Sequence, residues 1–456
     1  MNRRQIDLGS GNVRRLLFSL SLPTITSQVV NMLYNLVDRV FIGHIQPTET
    51  VGKLALTGVG VCFPLIMLIS AFAALVAMGG APRASISAGR GDLKASEHIM
   101  GNSFSLLVGT ALVLTAVFLF FSEPMLRAFG ASENTIGYAV DYMRIYALGT
   151  VFVQITLGMN AFITAQGFTT VSMKTVLIGA ALNTVLDPLF IFVFGMGVKG
   201  AALATILSQA VSALWVLRFL TGGTTKWKLR REHLRPVPAV FGPSVALGLS
   251  PFIMQSTESL IAVCFNSSLL KYGGDTAVAA MTVLTGIMQF ALMPIHGLTQ
   301  GAQPIVSYNF GARNARRVRD AFRCLLISCF VYSMVLWALV QLFPQLFILL
   351  FNDDPTLVDY AAWALRIYMG ATGLFGIQIA CQQTFVALGN AKTSLFLAAL
   401  RKIILLVPLI YILPCFFADK AFAVFLAEPV ADFLAVCTTS AMFALQFRRA
   451  MASLEP

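Results

Sequence analysis

Charged residues are scarce in this sequence, whereas long apolar runs are plentiful. Asp, Glu, Lys and Arg together make up 11% of the 456 residues, whereas soluble domains carry about 25%. Hydrophobic residues make up 57%, and the mean hydropathy is +0.79. A water-soluble fold of this size is therefore excluded. The composition predicts an all-α protein that crosses a membrane many times.

The motifs of several enzyme classes are missing. The chain has no Walker A sequence and no GxSxG or HExxH motif, and its four His residues are scattered. The seven Cys residues lie in apolar runs without CxxC spacing, which is typical of small buried side chains and not of a disulfide framework or a zinc site. We therefore expect a protein that is not an enzyme and has no cofactor. An intramembrane enzyme and a non-transporting assembly or signalling protein are the alternatives from other classes.

Twelve apolar runs are long enough to cross a bilayer as helices. They lie near residues 16–43, 54–78, 98–121, 136–165, 173–194, 198–220, 243–270, 276–299, 321–343, 358–387, 393–413 and 421–447. Most of the 32 Lys and Arg residues lie in the N-terminal segment, the even-numbered loops, the adjoining helix ends (Lys402 among them) and the C-terminal tail. This bias predicts a multi-pass protein with both termini in the cytoplasm. It also explains the net charge of +12, so no nucleic-acid partner is expected.

The sequence repeats itself with an offset of 222 residues. Gly79, Pro82, Ser85, Gly89 and the tripeptide Arg144-Ile145-Tyr146 recur as Gly301, Pro304, Ser307, Gly311 and Arg366-Ile367-Tyr368. Each copy holds six spans, so both copies enter the membrane in the same direction. The repeat predicts an N-lobe (1–220), a cytoplasmic linker (221–242) and a C-lobe (243–456). The lobes should be related by a pseudo-twofold axis along the membrane normal, with a cleft between them.

Three predicted spans of the N-lobe carry polar side chains at a similar depth in the membrane. These are Asp38 in span 1, Asn183 and Asp187 on one face of span 5, and Thr205 in span 6. An ionisable residue at this depth is costly, which makes each one a candidate functional group. Two carboxylates, an amide and a hydroxyl suit either Na⁺ or a proton shared by the carboxylates, and no other metal is expected. The alternative is that Asp38 only pairs with Arg39, although adjacent helical residues do not face each other.

The C-lobe has ionisable residues of its own within its spans. Arg401 in span 11 lies at a depth compatible with Glu428 and Asp432 of span 12, so we expect a structural ion pair between Arg401 and one of these acids. Glu258, near the middle of span 7, is consistent with three roles: an internal ion pair, a substrate contact or an ion-coupling group. In the N-lobe, Pro23 interrupts span 1 and predicts either a moving bend or a static kink.

The spans, the repeat and four motifs resemble the multidrug and toxic compound extrusion (MATE) family over essentially the whole chain. The motifs are SLPTITSQ and YNLVDRVFIG in span 1, LNTVLDPLF in span 5 and GVKGAALATILSQ in span 6. The last two look like the DinF-like branch of bacterial drug exporters. In that branch, the residues that match Asp38, Asn183, Asp187 and Thr205 form the cation site of the N-lobe. The resemblance extends to Tyr34, Tyr142 and Asn160 as ion- or substrate-binding residues.

The resemblance also implies roles for residues outside this site. Pro23 matches the proline at which span 1 bends in the family, so it is expected to be a conformational hinge. Glu258 resembles the C-lobe acid of the NorM branch. Span 10, however, has no central Asp. This departure from the NorM branch favours coupling through the N-lobe.

The function that the resemblance implies is secondary active multidrug efflux across the bacterial cell inner membrane. The protein would exchange H⁺ or Na⁺ for amphipathic, often cationic drugs by alternating access, and would act as a monomer in the lipid bilayer. The alternative is a flippase for lipid-linked precursors of the same superfamily, which needs several exposed Arg in its cleft. Here Arg144 and Arg366 follow Asp141 and Asp359, with which they are expected to pair.

Overall fold

The computed structural model describes residues 6–45, 49–351 and 354–454, and these residues form helices and turns without any β-strand. The long helices are Val13–Gly43, Glu49–Gly89, Leu93–Ala128, Ile136–Leu148 with Thr150–Ala165, Thr169–Val193, Val198–Thr221, Pro238–Gly311, Ala315–Leu342, Pro355–Tyr368 with Thr372–Ala387, Ala391–Cys415 and Lys420–Ala452. Short helices at Arg231–His233 and Pro344–Ile348 lie between them.

One of these helices contains two spans. Pro238–Gly311 has 74 residues, so a straight helix would be about 110 Å long, far more than a bilayer needs. Gly274 divides it into span 7 and span 8, with a φ of 68° that glycine adopts without strain. Spans 4 and 10 each consist of two pieces, bent by 57° and 49°. With each bent pair counted once, the described residues form the twelve spans that the sequence predicts.

Two spans contain a π-helical segment, in which the backbone is wound more loosely than in an α-helix. In span 5 the segment Leu189–Val193 follows Pro188, whose missing N–H removes one bond of the α-helical pattern. In span 11 the segment Leu400–Leu406 contains Arg401 and Lys402. Both of these basic side chains are buried in the structure. Single π turns of this kind are frequent at functional sites.

Apolar side chains form separate cores in the two halves of the chain, and one further cluster joins them. In this joining cluster, Leu17 and Leu20 of span 1 pack with Ile295 and Leu298 of span 8. The first turns of span 1 therefore belong to a shared core, although the sequence assigns the whole of residues 1–220 to the N-lobe. The division of the chain into two lobes itself stays a prediction.

Both ends of the described chain lie on the same side of the molecule. Leu8 and Met451 belong to the cluster that joins the halves. Asn309 Nδ2 donates to the Leu8 carbonyl at 2.9 Å, and Arg317 Nη1 donates to the Gly11 carbonyl at 2.8 Å. We call this side of the molecule the terminal side and the opposite side the far side.

Glycines bring the two halves together on the terminal side. Gly89 of span 2 faces the backbone carbonyl of Tyr308, and Gly311 of span 8 faces that of Ile86. The 222-residue repeat relates these two contacts to each other. A Cβ atom on either glycine would collide with the facing carbonyl. Closer to the far side, Gly58 of span 2 contacts the start of span 4 in its own half. Span 2 therefore packs closely against the other half near Gly89 and against its own half near Gly58.

The linker 221–242 is held against the first half of the chain. Arg230 Nε lies 2.8 Å from Glu97 Oε2, and the Val237 N–H donates to Asn102 Oδ1 at 2.6 Å. Both acceptors lie in the first turns of span 3. The linker is therefore an ordered part of the terminal side.

Candidate ion- and substrate-binding site

Side chains from spans 1, 5 and 6 meet inside the first half of the chain. Asp38 of span 1 and Asp187 of span 5 bring their carboxyl groups within hydrogen-bonding reach of each other. Asn183 Nδ2 donates to Asp187 Oδ1 at 3.1 Å and to Thr205 Oγ1 at 3.5 Å. Asp187 and Asn183 are 0% and 2% exposed. The structure thus places the four predicted ion-coupling residues in one cluster, which we call the first-half cluster.

Three buried oxygens of the first-half cluster have no hydrogen-bond partner in the protein. They are Asp38 Oδ1, Asp187 Oδ2 and Asn183 Oδ1. An unsatisfied buried polar atom costs about 1–3 kcal/mol, and two adjacent carboxylates resist being ionised together. A shared proton or a bound Na⁺ would satisfy these atoms, because both suit a donor set made only of oxygen. The described ranges contain no group of three or more His, Cys, Asp or Glu side chains that could hold a metal ion.

Three tyrosines surround Asp38. Tyr34 lies one turn before it on span 1, and Tyr142 and Tyr146 of span 4 are close enough to interact with it electrostatically. The rings of Tyr142 and Tyr146 stack with their centroids 5.9 Å apart. The sequence singles out Tyr34 and Tyr142 but not Tyr146. The four-residue spacing from Tyr142, which puts both rings on one helix face, is the signal that could have identified it.

A small cavity opens beside the first-half cluster. Its volume is about 40 Å³, enough for a few water molecules. Its walls include Asn31, Tyr34, Thr156, Thr175, Asn183, Thr205 and Gln209. Asn160 lies one turn beyond Thr156, and its Nδ2 donates to the Ser172 carbonyl at 3.3 Å. Asn160 therefore adjoins the cavity wall and is not part of the carboxylate pair.

Within the described part of the chain, Arg39 forms no ion pair with Asp38 or Asp187. Its guanidinium lies over the ring of Phe63, 5.5 Å from the centroid. Successive helical side chains diverge by about 100°, and Asp38 accordingly faces Asp187 instead. This geometry disfavours the alternative in which Asp38 only pairs with Arg39.

Pro23 lies within an anchored part of span 1. Thr24 Oγ1 donates to the Gly297 carbonyl at 2.6 Å, and Ser21 Oγ donates to the Leu298 carbonyl at 3.3 Å. These bonds hold the region around the proline against span 8. Asp38 lies about 22 Å further along the helix, where span 1 follows the first half. A bend at Pro23 could therefore move the carboxylate while the first turns stay in place, and this hinge role stays a prediction.

In the second half, Arg401 lies between two acids of span 12. Its Nε donates to Asp432 Oδ1 at 2.6 Å and its Nη2 to Glu428 Oε1 at 3.0 Å. The guanidinium also lies over the ring of Phe375, 4.3 Å from the centroid. The three charged residues are all buried. Arg401 thus bridges both acids, where the sequence leads us to expect a pair with one of them.

Arg401→Ala is expected to destabilise the folded protein by about 3–5 kcal/mol, because it leaves two buried carboxylates without their cation. The thermal midpoint in detergent should fall clearly below that of the wild type. Arg449→Ala, which removes an exposed arginine near the C-terminus, is the control and should leave it unchanged. An Arg401→Ala protein of normal stability that has lost only transport would place Arg401 in the mechanism instead.

Glu258 is also paired, with a base that the sequence does not identify as its partner. Lys402 Nζ lies 2.7 Å from Glu258 Oε1. The assignment of Lys402 to a cytoplasmic helix end is wrong, because the side chain is 6% exposed and lies within the second half. The π segment Leu400–Leu406 turns both Arg401 and Lys402 towards acids of neighbouring spans.

The predicted pairing within span 4 is wrong as well. Asp141 Oδ2 lies 3.4 Å from Lys199 Nζ, at the start of span 6, and not beside Arg144. In span 10, Arg366 Nε donates to the carbonyl of Gln341 at 3.1 Å. In both spans, groups on a neighbouring helix have replaced the expected partner on the same helix.

Comparisons with known proteins identify relatives of the whole chain. The MatE family model matches residues 23–189 and 251–412. The multidrug export protein MepA of Staphylococcus haemolyticus (strain JCSC1435) is 25% identical over 427 residues, which cover 93% of this chain and 93% of that protein. MepA of Staphylococcus aureus (strain NCTC 8325 / PS 47) is 26% identical over 407 residues, 89% of this chain and 88% of that protein.

Solved structures share the fold. An outward-facing multidrug resistance MATE family transporter of the MOP superfamily superposes with a TM-score of 0.90 and 23% identity over 99% of both chains. A MATE structure in the bent conformation gives a TM-score of 0.91 and 23% identity over 98% of both chains. The two segments that match the family model lie one in each half and together span well over half of the sequence. The chain therefore belongs to the MATE family, whose members are multidrug export transporters and not enzymes.

Proposed function

We propose that this protein is a secondary active exporter in which inward movement of H⁺ or Na⁺ drives amphipathic, often cationic drugs out of the cell. The observation that carries the proposal is the pair of facing carboxylates, Asp38 and Asp187, whose buried oxygens lack partners. Such a pair needs a positive charge, and a proton, Na⁺ or a cationic drug can each supply it. Asn183 and Thr205 add neutral oxygens of the kind that Na⁺ binds.

Coupling then follows from competition for the same negative charge. When H⁺ or Na⁺ neutralises the pair, the attraction for a cationic compound disappears. The repulsion between Asp38 and Asp187 disappears with it, so span 1 can bend at Pro23 while the two carboxyl groups stay within hydrogen-bonding reach. The bend moves span 1 relative to spans 5 and 6, and the compound leaves.

The membrane potential supplies free energy for export when the exchange carries net positive charge inward. One charge moving down 100 mV yields about 2.3 kcal/mol. A tenfold concentration ratio costs about 1.4 kcal/mol. One inward charge per cycle therefore supports about fiftyfold accumulation of a neutral compound outside, before any ion gradient is added.

We place the terminal side in the cytoplasm, because Lys and Arg concentrate in the loops and tails on that side. The halves are packed there through Gly89 and Gly311. The cleft then opens to the outside, which is the conformation that releases the drug. We propose a monomer as the working unit, since one chain supplies every residue of the first-half cluster.

The alternative function, flipping of a lipid-linked precursor, needs basic side chains that are free to bind a pyrophosphate. Arg401 and Lys402 are instead buried and engaged by Glu428, Asp432 and Glu258. This engagement is the reason that we favour drug export. A pyrophosphate-linked lipid remains an outcome that the transport assay can identify.

The test is transport by purified protein in sealed liposomes, with an inward Na⁺ gradient and an inward H⁺ gradient imposed separately. We expect at least one gradient to accelerate transport of a cationic dye towards the side from which the ion enters. Liposomes without protein measure the leak. The proposal would be overturned if the rate of dye transport were the same with and without each gradient. Movement of a pyrophosphate-linked lipid without dye transport would overturn it as well.

A further inference from the structure

The second half of the chain contains an ion pair with unequal exposure. Lys402 Nζ lies 2.7 Å from Glu258 Oε1, and the Lys402 side chain is 7% exposed whereas that of Glu258 is 52% exposed. The acid therefore forms the accessible part of the pair and the base forms the buried part. A dissolved compound that approaches this pair meets the carboxylate first.

Glu258 has charged or titratable neighbours on several spans of the second half. Charged or titratable groups from four other spans interact with it electrostatically. They are His296 of span 8, Tyr368 of span 10, Arg401 and Lys402 of span 11, and Glu428 of span 12. These neighbours place Glu258 on the side of span 7 that faces the other spans of the second half. We call the accessible space next to it the second-half chamber.

The other charged residues near Glu258 already have partners. Arg401 is shared by Asp432 and Glu428 through two hydrogen bonds. Among the described residues, Glu258 is the acid that forms an ion pair with Lys402. The negative charge that Glu258 presents to the chamber is therefore balanced by a cation that belongs to the chain itself.

We propose that Lys402 is a tethered counter-ion that occupies Glu258 in place of a mobile cation and sets the charge preference of the second-half chamber. With Lys402 present, the chamber offers a neutral ion pair and has little attraction for positive charge. Without it, the chamber offers a bare carboxylate that binds organic cations. This assignment rests on the proposed function only in taking organic cations as the relevant ligands.

The position of Lys402 explains why the pair is stable. The π segment directs both Arg401 and Lys402 inward, and the long aliphatic stem of lysine can lie along apolar side chains while its ammonium reaches the acid. A tethered ammonium is always present at the acid, whereas H⁺ or Na⁺ binds only as its concentration allows. The second half consequently needs no coupling ion, which agrees with a coupling site confined to Asp38 and Asp187.

The test is binding of tetraphenylphosphonium, a lipophilic cation, to purified wild-type and variant proteins without any ion gradient. Lys402→Met should lower the Kd for tetraphenylphosphonium at least tenfold and leave the Kd of a neutral dye unchanged. Lys402→Arg, which keeps the ion pair, should behave as the wild type. In the double variant Lys402→Met, Glu258→Gln, the gain should disappear, because the carboxylate that produces it is gone.

Three results would overturn the proposal: an unchanged or higher Kd in Lys402→Met, a gain that survives in the double variant, or no binding by either wild type or Lys402→Met. Because the Glu258 side chain is 52% exposed and not sealed in the core, Lys402→Met is expected to fold. If it does not, Lys402→Gln keeps a hydrogen bond to Glu258 without the charge and gives the same comparison. Binding needs no gradient, so a failure of coupled transport and a failure of this proposal are separate results.

Discussion

Asp187→Asn and, separately, Asp38→Asn are expected to reduce gradient-driven drug export to the leak rate of liposomes without protein. Asparagine has nearly the same shape as aspartate, but it cannot take up a proton and carries no charge to hold Na⁺ or a cationic drug. The hydrogen bond from Asn183 can still be made to the new amide oxygen, so the fold should persist. The measurement is the initial rate of dye transport, divided by the amount of inserted protein.

A matched control uses the same substitution elsewhere. Asp359 of span 10 is exposed, and Asp359→Asn should transport at the wild-type rate. Each variant should also keep its thermal midpoint, because removal of an unpaired buried charge relieves repulsion. Gradient-driven transport by both Asp38→Asn and Asp187→Asn at normal protein levels would remove the first-half cluster from the mechanism.

Gly89→Val and Gly311→Val are expected to open the terminal side and slow transport strongly. In each case the new side chain collides with a backbone carbonyl across the contact between halves, at Tyr308 or Ile86, and a backbone atom cannot move aside. Overpacking of this kind costs about 1–3 kcal/mol, which shifts the closed-to-open ratio about five- to hundredfold. Since export needs both conformations, transport should fall by a similar factor.

Hydrogen exchange measures this shift directly. Peptides that contain residues 83–92 and 304–312 should exchange faster in Gly89→Val than in the wild type. Gly60→Val is the control in the same helix, since Gly60 is exposed and a Cβ there meets no atom within 4 Å. Unchanged exchange at both peptides in Gly89→Val, together with normal transport, would show that the glycine contacts do not close the molecule.

The twelve spans could be predicted because apolar length is a property of the sequence itself. The ends of these spans could not be predicted in the same way. The second predicted span covers 54–78, whereas the helix runs from Glu49 to Gly89, since helices continue past the apolar region that hydropathy detects. The 222-residue repeat likewise predicts related halves, but not that Leu17 and Leu20 pack into a core shared with the other half.

The first-half cluster could be predicted because it depends on regular helix geometry. Asn183 and Asp187 share a face through their four-residue spacing, and counting residues from the span ends gives the depth of Asp38. Which neighbouring helix faces Asp38 depends on tertiary packing. The sequence pattern alone therefore could not bring Tyr146 to this site.

The ion pairs of the second half were harder to predict, because they depend on an irregular helix. Counting along a straight α-helix separates Arg401 and Lys402 by about 100° and does not place both inward. The π segment Leu400–Leu406 changes that geometry, and the sequence carries no simple signal for it. The concentration of basic residues near helix ends then makes Lys402 resemble an ordinary cytoplasmic lysine.

In the proposed mechanism, drug and coupling ion compete for one carboxylate pair, Asp38 and Asp187. The most direct measurement is the Kd of tetraphenylphosphonium for the purified protein, determined at low and high Na⁺ and at neutral and acidic pH. We predict that Na⁺ or acid raises this Kd in the wild type and that the ion effect is absent in Asp38→Asn. An ion effect of the same size in both proteins would contradict the assignment of coupling to Asp38 and Asp187.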